Sequence, residues 1–261
     1  MKYYVVSDIH GYYTELIKAL TEKGFFDDKE PHKLIVCGDM MDRGREAQAM
    51  EKFMLELLER DELIFIRGNH EDLMLQMLED IEESYDNGYT YVKRHHVSNG
   101  TLDTAAQLTR HNPTEIMRNA PEFLSEVRST AFVSVLIPTS INYFETKSHV
   151  FVHGWIPAIE GERWEESYSF DPGWRSASKE DWKKARWYNG MKLAKEFGIK
   201  EPGKTIVCGH WHTSFGHSKY SQKCTEFMSD AIFEPYESDG ILAIDGCTAH
   251  TGMINCVVIE E

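Results

Sequence analysis

Cys37-Gly38-Asp39-Met40-Met41-Asp42-Arg43-Gly44 is the stretch on which the reading of this chain turns. It grows out of Leu34-Ile35-Val36-Cys37, an apolar, β-branched run short enough to be a buried strand. Two carboxylates and a guanidinium then stand where that strand ends. In α/β sheets ligands collect outside the carboxyl ends of the strands, so Asp39, Asp42 and Arg43 are poised to meet a metal ion or a phosphate. Gly-Asp turns after strands are common, and the stretch alone fits an ordinary loop equally well.

Its neighbours repeat the pattern with different chemistry. Tyr3–Ser7 reads as a strand that exits into Asp8-Ile9-His10-Gly11 and then a helix over Tyr12–Glu22. Residues two apart in an extended segment point the same way, so Asp8 and His10 can reach one ion together. After an amphipathic helix over Glu46–Arg60, the strand Leu63–Ile66 exits into Arg67-Gly68-Asn69-His70-Glu71 and opens a further helix. Imidazole combined with carboxylate suits Mn²⁺, Fe²⁺ or Zn²⁺, whereas an all-oxygen set favours Mg²⁺ or Ca²⁺.

S-D-I-H-G, G-D-M-M-D-R-G and R-G-N-H-E, in this order and each after a strand, closely resemble the three signature motifs of the metal-dependent phosphoprotein phosphatases, within the metallophosphoesterase superfamily. The first motif of that family usually begins with Gly where this chain has Ser7. The strand His149–Val152 ends in His153-Gly154, resembling the fourth motif, H-G-G, with Trp155 in place of the second glycine. Gly209-His210 follows the strand Thr205–Cys208 as the family's last metal histidine does. The resemblance covers nearly the whole chain and implies an α/β (α+β) fold, a four-layer α/β/β/α sandwich with a helical excursion.

The resemblance also implies a site. Asp8, His10 and Asp39 would hold one divalent ion, and Asp39, Asn69, His153 and His210 a second, with Asp39 bridging. Mn²⁺ is the expected metal, with Fe²⁺ and Zn²⁺ as alternatives. Phosphate would be attacked directly by a metal-bridging hydroxide, bound by Arg43, Arg67 and Arg186, with Arg175 in reserve to Arg186. His70 would be the general acid, oriented by Asp42. The symmetrical diadenosine tetraphosphatases share the metal motifs and a G-H-W like Gly209–Trp211, but their counterpart of Asp42 is often replaced. Asp42 therefore leans the reading toward a serine/threonine protein phosphatase of the bacterial or phage kind, acting on phosphorylated proteins or peptides. The alternative is a diadenosine tetraphosphatase or other nucleotide phosphohydrolase. A remoter one is an inactive module that binds phosphorylated partners.

Composition bounds the rest. The 261 residues carry a formal charge of −15, which argues against a nucleic-acid or anionic-membrane surface, and no apolar run approaches a bilayer span. The start shows no signal-peptide pattern, so a cytoplasmic protein is expected. Five cysteines without C-x-x-C spacing argue against a disulfide framework; Cys37 and Cys208 read as small core residues. One catalytic domain over 1–261 is expected, with 85–128 as a helical insertion or cap containing helices at Thr101–Arg110 and Thr114–Arg128, with Pro113 and Pro121 near their first turns. Ala131–Ile137 and Ile141–Glu145 read as a hairpin, Asp181–Phe197 as one helix, and Gly240–Asp245 and Ile254–Ile259 as closing strands. Trp164, Trp174, Trp182 and Trp187 read chiefly as cover for a core edge, with a binding wall for bases as the alternative.

Overall fold

Residues one apart along the apolar strands face opposite layers, and both layers are dry. In the computed structural model, which describes residues 1–112, 118–161 and 167–261, Val5, Ile35, Cys37 and Ile66 pack with Phe151, Val207 and Ile244 in one core. Their strand neighbours Tyr4, Val6, Leu34 and Val36 turn the other way, onto helices. Strands buried on both faces read as continuous apolar runs, which is why the three exits were legible as strand ends.

The first sheet has the order β11-β1-β2-β3. It is made by β1 (Lys2–Val6), β2 (His32–Cys37) and β3 (Leu63–Ile66) in parallel, with β11 (Val257–Glu260) antiparallel to β1. Between them run α1 (Tyr13–Glu22) and α2 (Ala47–Glu59), then α3 (Asn69–Asp86), α4 (Arg94–Ser98), α5 (Thr101–Thr109) and α6 (Ala120–Ser129). The second sheet is β4-β5-β8-β10-β9. Its members are β4 (Phe144–Glu145), β5 (His149–Phe151), β8 (Thr205–Cys208), β9 (Tyr236–Ser238) and β10 (Ile241–Ala243). A separate ribbon pairs β6 (Ala158–Glu160) with β7 (Tyr168–Phe170). On the outer face of the second sheet Val150, Val152, Ile206 and Ile241 pack with Trp155, Trp174 and Trp182, covered by α7 (Lys179–Ala185) and α8 (Gly190–Glu196). α9 (Thr213–Lys219) follows β8 and α10 (Thr248–Thr251) follows β10, and short 3₁₀ turns lie at Phe25–Asp27 and Trp174–Ser176. The layers are helix, sheet, sheet, helix, the expected four-layer sandwich. Among the described residues no helix is long and apolar enough to cross a membrane.

Four expectations are corrected. Ala131–Ile137 is no strand: Phe132–Leu136 is a π-helical turn running into a helical Ile137–Thr139. Its buried residues, Phe132, Val133, Leu136 and Ile137, recur at helical spacing on the first core, and that burial overrides the β-branched composition. With the first arm gone there is no hairpin; Ile141 makes one parallel bridge to Ile66, and only Phe144–Glu145 pairs as a strand. Asp181–Phe197 is two helices, broken between Ala185 and Gly190, where the Asn189 side chain accepts the Lys192 N–H at 3.0 Å and starts a new one. The final strand begins at Val257 and joins the first sheet, while β10 stays in the second. Pro113, the first turn of the helix expected at 114–128, and Trp164 lie outside the described residues; Pro121 sits in the first turn of α6.

Trp155, the departure from the H-G-G pattern, is accommodated by a glycine far along the chain. Its backbone φ is negative, its ring is buried, and its indole N–H donates to the Ile199 carbonyl at 3.2 Å. A Cβ on Gly190 would stand 2.4 Å from the Trp155 ring. Gly190→Ala should therefore destabilise the protein by about 1–3 kcal/mol, an overpacking penalty read as a lower denaturant midpoint at unchanged m.

Candidate metal centre and acid pair

Every motif loop leaves a strand at the same edge of the sandwich, and the backbone there is bent into an uncommon conformation. Asp8, His10, Asp39, Asp42, Arg43 and His210 all have left-handed φ, from 51° to 76°. Each such residue costs on the order of 1 kcal/mol, so a lattice of bonds must hold the loops. His10 N–H donates to the Asp39 carbonyl at 2.9 Å, Gly11 N–H to Met40 at 2.8 Å, and Gly44 N–H back to His10 at 2.8 Å. Gly38 has φ +80°, and a Cβ there would lie 2.5 Å from His153 Nδ1, so only glycine fits between the loops.

Glu71, to which the sequence reading gave no role, fastens two of these loops. Its buried carboxylate accepts the N–H groups of Gly68 at 2.7 Å, Asp39 at 3.1 Å and Met40 at 3.0 Å. Burial and then the Asp39 charge push its carboxyl up to about 7. The available signal was its place three residues after Gly68 at a helix start, the capping-box position.

Asp39 stands at the centre. Its carboxylate belongs to two groups of converging donors, one with His10 and His70 and the other with His153 and His210, each within 4.8 Å. Burial opposes its charge, but the imidazoles of His153, His70, His10 and His210 hold the carboxyl below its usual range. His10 gives its Nδ1–H to the Met41 carbonyl at 3.1 Å and His153 gives its own to Cys37 at 2.8 Å. Each Nε2 is thereby left as a lone pair facing inward, the arrangement that orients ligating histidines. Burial, reinforced by Arg43 for His10 and by His153 for His210, keeps these two rings neutral. His153 Nε2 meets Asn69 Oδ1 at 2.8 Å and Asp39 Oδ1 at 3.3 Å. Three lone-pair carriers turned on one another in a buried space repel unless a cation lies among them, so the donor set fits divalent ions. Asp8 enters from β1, its Oδ2 accepting Ser7 Oγ–H at 2.5 Å and the His210 N–H at 2.8 Å. Ser7 in place of the usual glycine therefore supports Asp8.

His70 and Asp42 form a buried pair, Nδ1–H donating to Oδ2 at 2.7 Å. Burial disfavours the imidazolium, but Asp39 and the bond to Asp42 outweigh it and raise His70 to about 9. The excursion reaches this pair, which the sequence did not reveal. Thr101 Oγ1–H donates to the same Asp42 oxygen at 2.8 Å, and Thr104 Oγ1 accepts the Asp42 N–H at 3.0 Å. Arg43 lies across both sides of the site, Nη1 on His10 Nε2 at 3.0 Å and Nη2 on His70 Nε2 at 3.2 Å. A proton on His70 Nε2 competes with the second of these bonds.

Asp72 gathers the other two arginines. Arg186 Nη1 donates to its Oδ2 at 2.7 Å and Arg67 Nη1 lies 3.7 Å from its Oδ1. Arg67 also donates to Ser140 Oγ and the Ile137 carbonyl, Arg186 to Asn142, and Arg186 Nε is buried without a partner. Arg175, the reserve candidate, is committed elsewhere, to Glu145 at 2.9 Å and Glu201 at 2.8 Å and over the Trp174 ring. Trp174 and Trp182 are core, as expected, whereas Trp187 is half exposed with its ring 5.7 Å from that of His210.

The calcineurin-like phosphoesterase family pattern matches residues 1–214. A symmetrical bis(5'-nucleosyl)-tetraphosphatase of Buchnera aphidicola is 33% identical over 89 residues, 34% of this chain and 31% of that protein. Serine/threonine-protein phosphatase 2 of Salmonella typhimurium is 34% identical over 116 residues, 44% of this chain and 46% of that protein. The asymmetrical tetraphosphatase PrpE of Bacillus velezensis is 27% identical over 145 residues, 52% of each chain. The chain thus spans between about a third and a half of the length of these relatives. The solved structure of a cold-active protein-tyrosine phosphatase from a Shewanella species has the same fold, with TM-score 0.51 and 16% identity over 100% of this chain and 75% of that one. With the pattern covering 214 residues that contain every motif loop, the chain belongs to the calcineurin-like metallophosphoesterase family.

Proposed function

We propose that this metallophosphoesterase removes phosphate from phosphoserine and phosphothreonine in proteins, and that the buried His70–Asp42 pair is the observation that carries this reading. Serine and threonine alkoxides leave poorly unless protonated, so a positioned acid is worth most on such esters. His70 gives its Nε2 proton to the leaving oxygen, and Asp42 holds the ring at Nδ1 and stabilises its charge. Asp8, His10 and Asp39 would hold one ion and Asp39, Asn69, His153 and His210 the other, Mn²⁺ suiting the mixed nitrogen and oxygen donors. When bound, such a pair supplies an activated water and neutralises charge on the phosphoryl oxygens. Arg43, Arg67 and Arg186 would bind those oxygens; guanidinium geometry matches them, and Asp72 keeps two of the three side by side.

Thr101 tests the pair from behind. Thr101→Val should slow a phosphoserine peptide about tenfold and an activated aryl phosphate little, because only the first needs the proton. Thr101→Ser should restore the rate on the peptide, and equal loss on both esters would assign Thr101 to folding alone.

A second reading, hydrolysis of dinucleoside polyphosphates, is favoured by the tetraphosphatase relatives and by Trp187 and Trp211 beside His210. The two are separated by comparing kcat/KM of the Mn²⁺-loaded protein on a phosphoserine peptide and on diadenosine tetraphosphate. Preference for the peptide by more than about tenfold, roughly 1.4 kcal/mol, supports the phosphatase. The reverse preference assigns the same centre to nucleotide turnover.

A further inference from the structure

The break between α7 and α8 brings Trp187 and Tyr188 to the surface, opposite Trp211 at the exit of β8. With Tyr168, Leu193 and Phe215 they line a groove of about 340 Å³ that opens beside His210. Trp187 is 50% exposed and Trp211 36%, although nearly all other large aromatic side chains of this half are buried or half-buried. Lys192 and Lys219 stand along its edge, Lys219 paired with Glu196 at 3.3 Å and lying over the Phe215 ring. Trp187 and Trp211 both pack edge-on to His210, at 5.7 and 6.1 Å between ring centroids, so the groove adjoins one of the candidate metal ligands.

We infer that this groove is a substrate subsite that takes an aromatic side chain of the phosphorylated peptide, close in sequence to the phosphoserine or phosphothreonine. The inference rests on the phosphoprotein reading above and names the peptides it favours. Size admits one large side chain, and the walls offer ring faces for stacked or edge contacts. Polar groups along the groove are engaged within the chain: Asn189 Oδ1 accepts the Lys192 N–H at 3.0 Å, the Tyr188 hydroxyl donates to Glu160 at 3.0 Å, and the Lys219 ammonium is paired with Glu196 at 3.3 Å. A nucleobase needs partners for its polar edge to be recognised, whereas an aromatic side chain needs only the ring faces. The observations therefore favour the side chain.

The test uses the whole Mn²⁺-loaded chain and phosphoserine peptides with alanine elsewhere, one tryptophan being moved along the positions on either side of the phosphoserine. At its best position tryptophan should raise kcat/KM about tenfold over the all-alanine peptide, mainly through KM, the share expected of binding in a half-open groove. Trp211→Ala should bring that ratio close to one, whatever it does to the rate on the all-alanine peptide, and Trp187→Ala should also collapse the ratio. Peptide hydrolysis without any aromatic preference in the unaltered protein overturns the subsite and leaves the phosphatase reading standing. A Trp211→Ala loss confined to diadenosine tetraphosphate, with peptides unaffected, overturns the occupant in favour of a base. Turnover of the dinucleotide and of no phosphopeptide overturns the underlying reading itself.

Discussion

Asp39→Asn is expected to lower kcat/KM on the order of a thousandfold and to weaken both metal positions together. The substitution keeps the shape of the side chain and removes its charge, and that charge faces four imidazoles in two groups of donors at once. A residue serving one ion would leave the other in place. Equilibrium dialysis with Mn²⁺ reads the difference: the variant should lose tight binding of both ions, and two tightly held ions would remove Asp39 from its shared position. Because Asp39 Oδ1 also accepts the His70 N–H at 3.0 Å, a thermal melt of the metal-free variant is the control for loop collapse.

His70→Asn should separate substrates by their leaving groups. The phosphoserine peptide should slow by about 10²–10⁴, the range of a lost general acid, and an activated aryl phosphate by tenfold or less. Equal losses would mean that His70 only organises the site. A pH profile adds a sign. On the proposed reading the protonated ring is the active form, and Asp39 and Asp42 hold it at about 9, so the unaltered protein should keep its rate on the peptide from neutrality upward and lose it as pH passes that value. The variant should lack that descending limb on the peptide. Bound cations add positive charge beside the ring and move the limb to lower pH without changing its direction.

How far the sequence carried these conclusions depends on the reach of each contact. Asp8, Asp39 and Asn69 were legible because each stands at the exit of an apolar strand within a short contiguous motif, and parallel pairing of β1, β2 and β3 brings those exits to one edge. His153 and His210 followed from the same rule in the second sheet, where β5 and β8 pair in parallel. The supports were not legible. Thr101 reaches Asp42 across 59 residues and Arg186 reaches Asp72 across 114, and no local pattern announces such bonds. Trp155 looked awkward because its tolerance is written at Gly190, in another element. The helix over 132–139 was misread for a different reason: valine and isoleucine suit strands in isolation, but spacing on a buried face decided the outcome. Trp187 was grouped with core tryptophans because Asn189-Gly190, the turn dipeptide that marks the break after α7 and so exposes it, was passed over.

The supports also show what the excursion does in the described structure. α4 and α5 pack on α3, and the turn between them abuts the Asp42–Arg43 turn so closely that a Cβ on Gly100 would stand 2.4 Å from the Arg43 nitrogen. α5 and the turn before it thus brace the His70–Asp42 pair from behind.

The central claim is that two metal positions share Asp39, and a Mn²⁺ titration of the metal-stripped protein followed by electron paramagnetic resonance tests it most directly. The account predicts two ions per chain and an exchange-coupled dimanganese spectrum that disappears in Asp39→Asn. One ion per chain, or two that remain magnetically independent, would contradict it.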